Sequence, residues 1–154
     1  MSEGTLHHYA DIRRKVLYNY FPLFSTTNLL GFSSHVLAPI TFSKIIGKNN
    51  IVIANTLWFG SHLGVGLYLF GSKHLAASSS PFDRILYSVF GSAIFNFGSV
   101  LLMSIVRSIY PNEEKLRLLV GLSASATLLI IGQRWLSYID DIFSTIRFRS
   151  NTRS

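Results

Sequence analysis

The sequence predicts an all-α integral membrane bundle of about four transmembrane helices, and three observations carry that prediction. Only 14% of the 154 residues are charged against 49% hydrophobic, with a mean hydropathy of +0.37, whereas a soluble domain carries nearer a quarter charged residues. The deficit is gathered into uncharged runs long enough to cross a hydrocarbon core of about 30 Å. Those runs also carry small residues at helical spacing, the pattern of helices that approach closely inside lipid.

Residues 1–15 form a basic N-terminal tail ending in Arg13, Arg14 and Lys15. The tail lacks the secretory signal pattern, and Glu3 and Asp11 argue against a cleaved organellar leader, so insertion through internal segments is expected. The transmembrane domain is expected over residues 16–139. Its first span is placed at about 21–42, starting near Pro22 and bent before Pro39, because proline removes a backbone donor. An interfacial or re-entrant segment is the alternative for this stretch. Lys44, Gly47 and Lys48 then make a short loop.

The second span, at about 50–72, is the helix around which the bundle is expected to be arranged. It carries Gly60, Gly64 and Gly66, and Gly60 with Gly64 makes a GxxxG, the spacing of close helix contacts in membranes. His62 lies among them, where an ionisable group needs a partner. After a turn containing Pro81, the third span, at about 85–106, presents Gly91 and Gly98 on a small-residue face. Asn96, central in that span, is expected to hydrogen-bond another helix. The charged loop 107–117 leads to a fourth span at about 118–136, with Gly121 and Ser125 in its GLSASA run. Arg134 can snorkel to the headgroups, Trp135 and Tyr138 mark the interface, and residues 140–154 form a basic tail lying on the membrane surface.

With four spans, nine Lys and Arg residues fall on the side of the termini and five on the other. Both termini are therefore expected on the cytoplasmic or matrix face. Net charge is +7 and the pI about 10.0. The basic residues sit between and beyond the apolar runs, so anionic headgroups and not nucleic acid are the expected partner. The chain has no cysteine, which excludes disulfides, iron–sulfur clusters and thiolate chemistry.

Few residues point to chemistry. His35 and His62 fall in the first and second spans, and two imidazoles on neighbouring helices can hold one haem. The competing reading is that each ring bonds a hydroxyl or carbonyl of a neighbouring helix, and no cofactor or metal is expected. Asp140 and Asp141 read as solvated interfacial charges, partnered by Arg134 or Arg147, because consecutive helical positions do not face one site. No GxSxG elbow frames a nucleophile.

The segments GLYLF (66–70) and QRWL (133–136), with Phe82, Phe90 and Phe95 between them, resemble the transmembrane protein 205-like family of small multispan membrane proteins. Here SSSPFDR replaces that family's Leu-Pro-Arg loop, and Gly91 stands where the family has proline. The first span is extra and a later family helix is missing. The resemblance implies a multispan membrane fold and no active-site residues, since the family has no settled catalytic activity.

The expected function is that of a non-enzymatic integral membrane protein, a structural or accessory subunit packing through glycine-rich helix faces. Its expected partners are membrane lipids and other membrane subunits or further copies of itself. The mitochondrial inner membrane is the favoured location, with an endomembrane or the plasma membrane as alternatives. Two other functional readings stand: a channel or transporter subunit using Asn28, Asn55, Asn96 and the two histidines, or a haem- or quinone-binding redox anchor using His35 and His62.

Overall fold

The computed structural model describes residues 20–78 and 80–151, with side chains through residue 146, together with the isolated residues His8, Ile12 and Val16. The expected N-terminal tail lies almost wholly outside the described residues. Regular structure among the described residues is helical throughout: α1 Phe21–Leu37, α2 Pro39–Ile46, a 3-10 turn Gly47–Asn49, α3 Asn50–Gly71, the short α4 Lys73–Ala76, α5 Pro81–Ile109 and α6 Glu114–Asn151. Three stretches are long and apolar enough to cross a membrane: Pro39–Gly71, Pro81–Ile109 and Glu114–Ile146.

The first expected span is divided. Pro39 has no N–H and disfavours helical geometry in the residue before it. Ala38 accordingly leaves the helix at φ −137°, ψ 65°, and the chain restarts as α2. Among the described residues, length and composition identify three helices able to cross a membrane, and α1 is not one of them.

Other boundaries also moved. The turn after α2 is tight, and Gly47 takes φ +80°, a backbone region where side chains are strained. Helix α5 begins at Pro81 and not Ile85, because Ser80 caps it. The Ser80 hydroxyl accepts the Phe82 N–H at 3.2 Å, Pro81 occupies the first turn and Asp83 faces the positive end of the dipole. Helix α6 does not end near residue 136. No glycine or proline interrupts the chain between Gly132 and Asn151, so the first part of the expected C-terminal tail is a continuation of α6.

Four helices make the bundle, with α1 at its centre. Helix α1 packs most extensively on α3 and also meets α5 and α6, while α5 bridges α3 and α6, whose backbones stand further apart among the described residues. The apolar core is a cluster of Leu29, Leu37, Met103 and Val106. Along the α1–α3 seam the buried residues are small: Ser25 on one side, Ala54, Gly60, Ser61 and Gly64 on the other.

Side-chain removal at those glycines is what permits the approach. A Cβ on Gly64 would stand 2.8 Å from Ser25 Cβ and 3.0 Å from its Cα, and one on Gly60 would stand 2.5 Å from Asn28 Oδ1. A Cβ on Gly121 would run into the Leu37 methyl groups of α1, and one on Gly91 would lie 2.9 Å from Leu69 Cδ1. Gly66 is looser, with Ser92 Cβ at 3.7 Å. Gly98 is a correction: it is exposed, and a Cβ there meets nothing within 4 Å. It faces outward because the inward stripe of α5 runs through Ser92, Asn96, Ser99 and Met103.

Both ends of the bundle are tied by arginines. Arg84 Nε donates to Phe70 O at 2.7 Å in the last turn of α3, and Arg107 Nη1 donates to Val36 O at 3.3 Å in the last turn of α1. Cations placed at the free carbonyls of a helix C-terminus stabilise it. Gly64→Ala is expected to lower the thermal stability of the detergent-solubilised protein by about 1–3 kcal/mol, since the blocking atoms include backbone. Gly98→Ala is expected to leave it unchanged; equal losses at both positions would contradict the seam.

Candidate functional site

Asn96 of α5 is fully buried, so its amide must find partners within the protein. Its Nδ2 donates to Ser92 O one turn earlier at 2.9 Å, and its Oδ1 accepts the Ser61 hydroxyl of α3 at 2.6 Å. Ser92 Oγ donates in turn to His62 O at 2.6 Å, and Ser25 of α1 reaches Ser61 O at 3.4 Å. These bonds join three helices at mid-height. A second contact joins α1 to α6, where the Ser33 and Ser125 hydroxyls lie 3.4 Å apart. Each of these serines also donates to its own helix, to Leu29 O at 2.7 Å and Gly121 O at 2.8 Å.

The histidines are arranged differently from expectation. His62 Nδ1 lies 3.0 Å from Trp58 O, a carbonyl of its own helix and not of a neighbour. A carbonyl only accepts, so Nδ1 carries the hydrogen in this contact. The ring sits edge-on to Trp58 at 4.3 Å and to Phe97 at 6.0 Å between centroids. His35 stacks edge-on to Phe42 at 5.0 Å, and its buried Nδ1 has no hydrogen-bond partner. Phe32 and Trp58, 6.4 Å apart, stand between the two imidazoles. His35 and His62 therefore do not converge on one haem edge. Nor do the asparagines converge on a polar path: Asn28 Nδ2 bonds Phe24 O of its own turn at 2.7 Å, Asn55 is exposed, and Asn96 is enclosed.

One constellation escaped the sequence reading. Asp140, expected to be solvated and paired with Arg134 or Arg147, is only 7% exposed and meets α4 instead. Its Oδ2 accepts the Lys73 N–H at 3.1 Å, and its Oδ1 accepts both the His74 N–H at 2.9 Å and His74 Nδ1 at 2.7 Å. The carboxylate thus caps α4 from a distant helix and holds the start of the α3–α5 connection against α6. Asp141, beside it, is exposed. Sixty-six residues separate Asp140 from His74, so nothing local marks which aspartate turns inward.

Two surface hollows flank the polar seam. A groove of about 590 Å³ runs between α3 and α5, lined by Trp58, His62, Gly66, Phe70, Ile85 and Val89. A smaller cleft of about 210 Å³ lies between α3 and α6, with Thr26, Tyr68, Phe95 and Gln133 among its walls. Among the described residues no group of three or more His, Asp or Glu side chains is placed to hold a metal ion.

Fold and site together define an all-helical protein with three helices able to cross a membrane and its buried polar groups set at helix contacts. No family model, curated protein or solved structure matches the chain.

Two substitutions probe these contacts. Asn96→Leu, which leaves the Ser61 hydroxyl without its acceptor, is expected to lower stability by about 1 kcal/mol and at most ~2 kcal/mol, the range for buried polar contacts between membrane helices. Asp140→Ala removes the cap of α4 and is expected to cost about 1 kcal/mol, and hydrogen exchange should quicken at the Lys73 and His74 amides before the rest of the bundle.

Proposed function

We propose that this chain is a non-enzymatic multi-pass membrane protein that serves as a structural or accessory subunit, with α1 lying in the bilayer beside the three longer helices. The observation that carries the reading is the direction of its side chains. Polar groups at mid-bundle are engaged with one another or with backbone carbonyls, while the outer face of α5 is exposed and apolar at Ile85, Val89, Phe90, Ile94, Phe97 and Leu101. A bundle so arranged is suited to lipid and to the apolar flanks of other membrane helices. The resemblance to the transmembrane protein 205-like family supports a small multispan architecture. Small size and a pI near 10.0 suit an accessory subunit of a large assembly, and we place it in the mitochondrial inner membrane.

Purification in mild detergent tests this reading. The chain is expected to elute with a larger membrane assembly, its partners recovered in fixed stoichiometry and identified by mass. Elution as an isolated bundle, with no stoichiometric partner and no self-association, would overturn the subunit assignment.

A further inference from the structure

We infer that the groove between α3 and α5 is a binding site for one acyl chain of an anionic phospholipid, whose phosphate is held by Arg84. This rests on the chain lying in a bilayer but not on its having a protein partner. The groove runs along α3 from Phe70 to Trp58, about 18 Å at 1.5 Å per residue. Its outer end is at the α3–α5 connection and its inner end is near the middle of α3. That length and position match one leaflet of a hydrocarbon core about 30 Å thick.

The lining excludes a polar solute. The two serine hydroxyls in the wall are engaged elsewhere, Ser88 Oγ with Arg84 O at 2.7 Å and Ser92 Oγ with His62 O at 2.6 Å. Gly66 leaves the floor open, with Ser92 Cβ only at ordinary contact distance from where a side chain would begin. His62, at the inner end, spends its Nδ1 on the Trp58 carbonyl of its own helix.

The outer end carries charge. The Arg84 guanidinium lies 4.1 Å over the Phe70 ring, which is part of the groove wall, and bonds the Phe70 carbonyl. Among the described residues Asp140 is taken up by Lys73 and His74 and Glu114 pairs with Arg117, leaving Arg84 without a carboxylate. A guanidinium has five N–H donors, and those not directed at Phe70 remain for a phosphodiester, the anion its planar fork recognises best. Lys73 is exposed at the same end of the bundle. An unneutralised cation at the mouth of an apolar, leaflet-long groove has the complementarity of a phospholipid with a net negative charge.

Native mass spectrometry of the full chain, delipidated in mild detergent and offered equal phosphatidylglycerol and phosphatidylcholine of identical acyl chains, tests the site. One phosphatidylglycerol is expected to be retained in roughly ten-fold preference, because both lipids offer a phosphate to Arg84 but in phosphatidylcholine the choline cation offsets it. Inorganic phosphate is expected not to displace it. Arg84→Gln should bring the preference close to unity. Gly66→Leu should fill the groove and reduce retention of both lipids while leaving the Arg84 contacts and thermal unfolding of the lipid-free protein unchanged, so it reads the site even if loss of the arginine unfolds the chain. Equal retention of the two lipids by the native protein, meaning boundary lipid only, or undiminished retention by Gly66→Leu would overturn the inference. A chain that stays monodisperse without detergent would instead overturn the membrane reading itself.

Discussion

The close approach of α1 to α3 is the constraint on which the rest of the bundle depends. Ser25 and Asn28 occupy the space that side chains at Gly64 and Gly60 would need, so the two backbones come together only because those side chains are missing. In lipid, where apolar surface gains little by leaving one apolar neighbour for another, such contact and the hydrogen bonds it permits supply much of the association. Once α1 is seated, its opposite flank receives Leu37 against Gly121 and Ser33 against Ser125. Helix α5 closes over the remaining side with Met103 and Val106.

A second constraint follows from the first. Groups enclosed at mid-bundle have no water to bond, so each must find a donor or acceptor on a neighbouring turn or helix. Serine suits this position because its hydroxyl can turn to a carbonyl one turn back, as Ser33, Ser99 and Ser125 do. Asn96 has more to satisfy, and it does so by bonding its own helix on one side and Ser61 on the other. The histidines are quieter residues than their rarity in the sequence suggested. His62 is held by its own helix between aromatic rings, and His35 packs against Phe32 and Phe42.

At the ends the logic is electrostatic. Arg84 and Arg107 deliver positive charge to the carbonyl ends of α3 and α1, where the helix dipoles favour it. Glu114, at the start of α6, accepts the Thr41 hydroxyl of α2, and Arg117 bonds Pro111 O at 3.1 Å. Asp140 supplies the complementary service to α4. Charges that mark topology in the sequence thereby also fasten one helix to the next, and Arg84 does so at the rim of a lipid-sized groove.

Much of this was legible without coordinates. The uncharged runs and the low charge content determined a helical membrane-type chain, because burying charge in hydrocarbon is expensive and helices satisfy their own backbone. Composition also marked Gly60, Gly64, Gly121 and Asn96 as residues of interest, since small and amide side chains inside an apolar run have few other uses. Periodicity did not determine which of several similar residues faces inward: Gly98 and Gly91 look alike in sequence, yet one faces outward and the other lies against Leu69. Nor did it show that Pro39 divides the first expected span in two, that α6 continues past Trp135, or that Asp140 and not Asp141 turns toward His74. Those outcomes depend on the rotation of each helix about its axis and on partners dozens of residues away, which only the packed bundle decides.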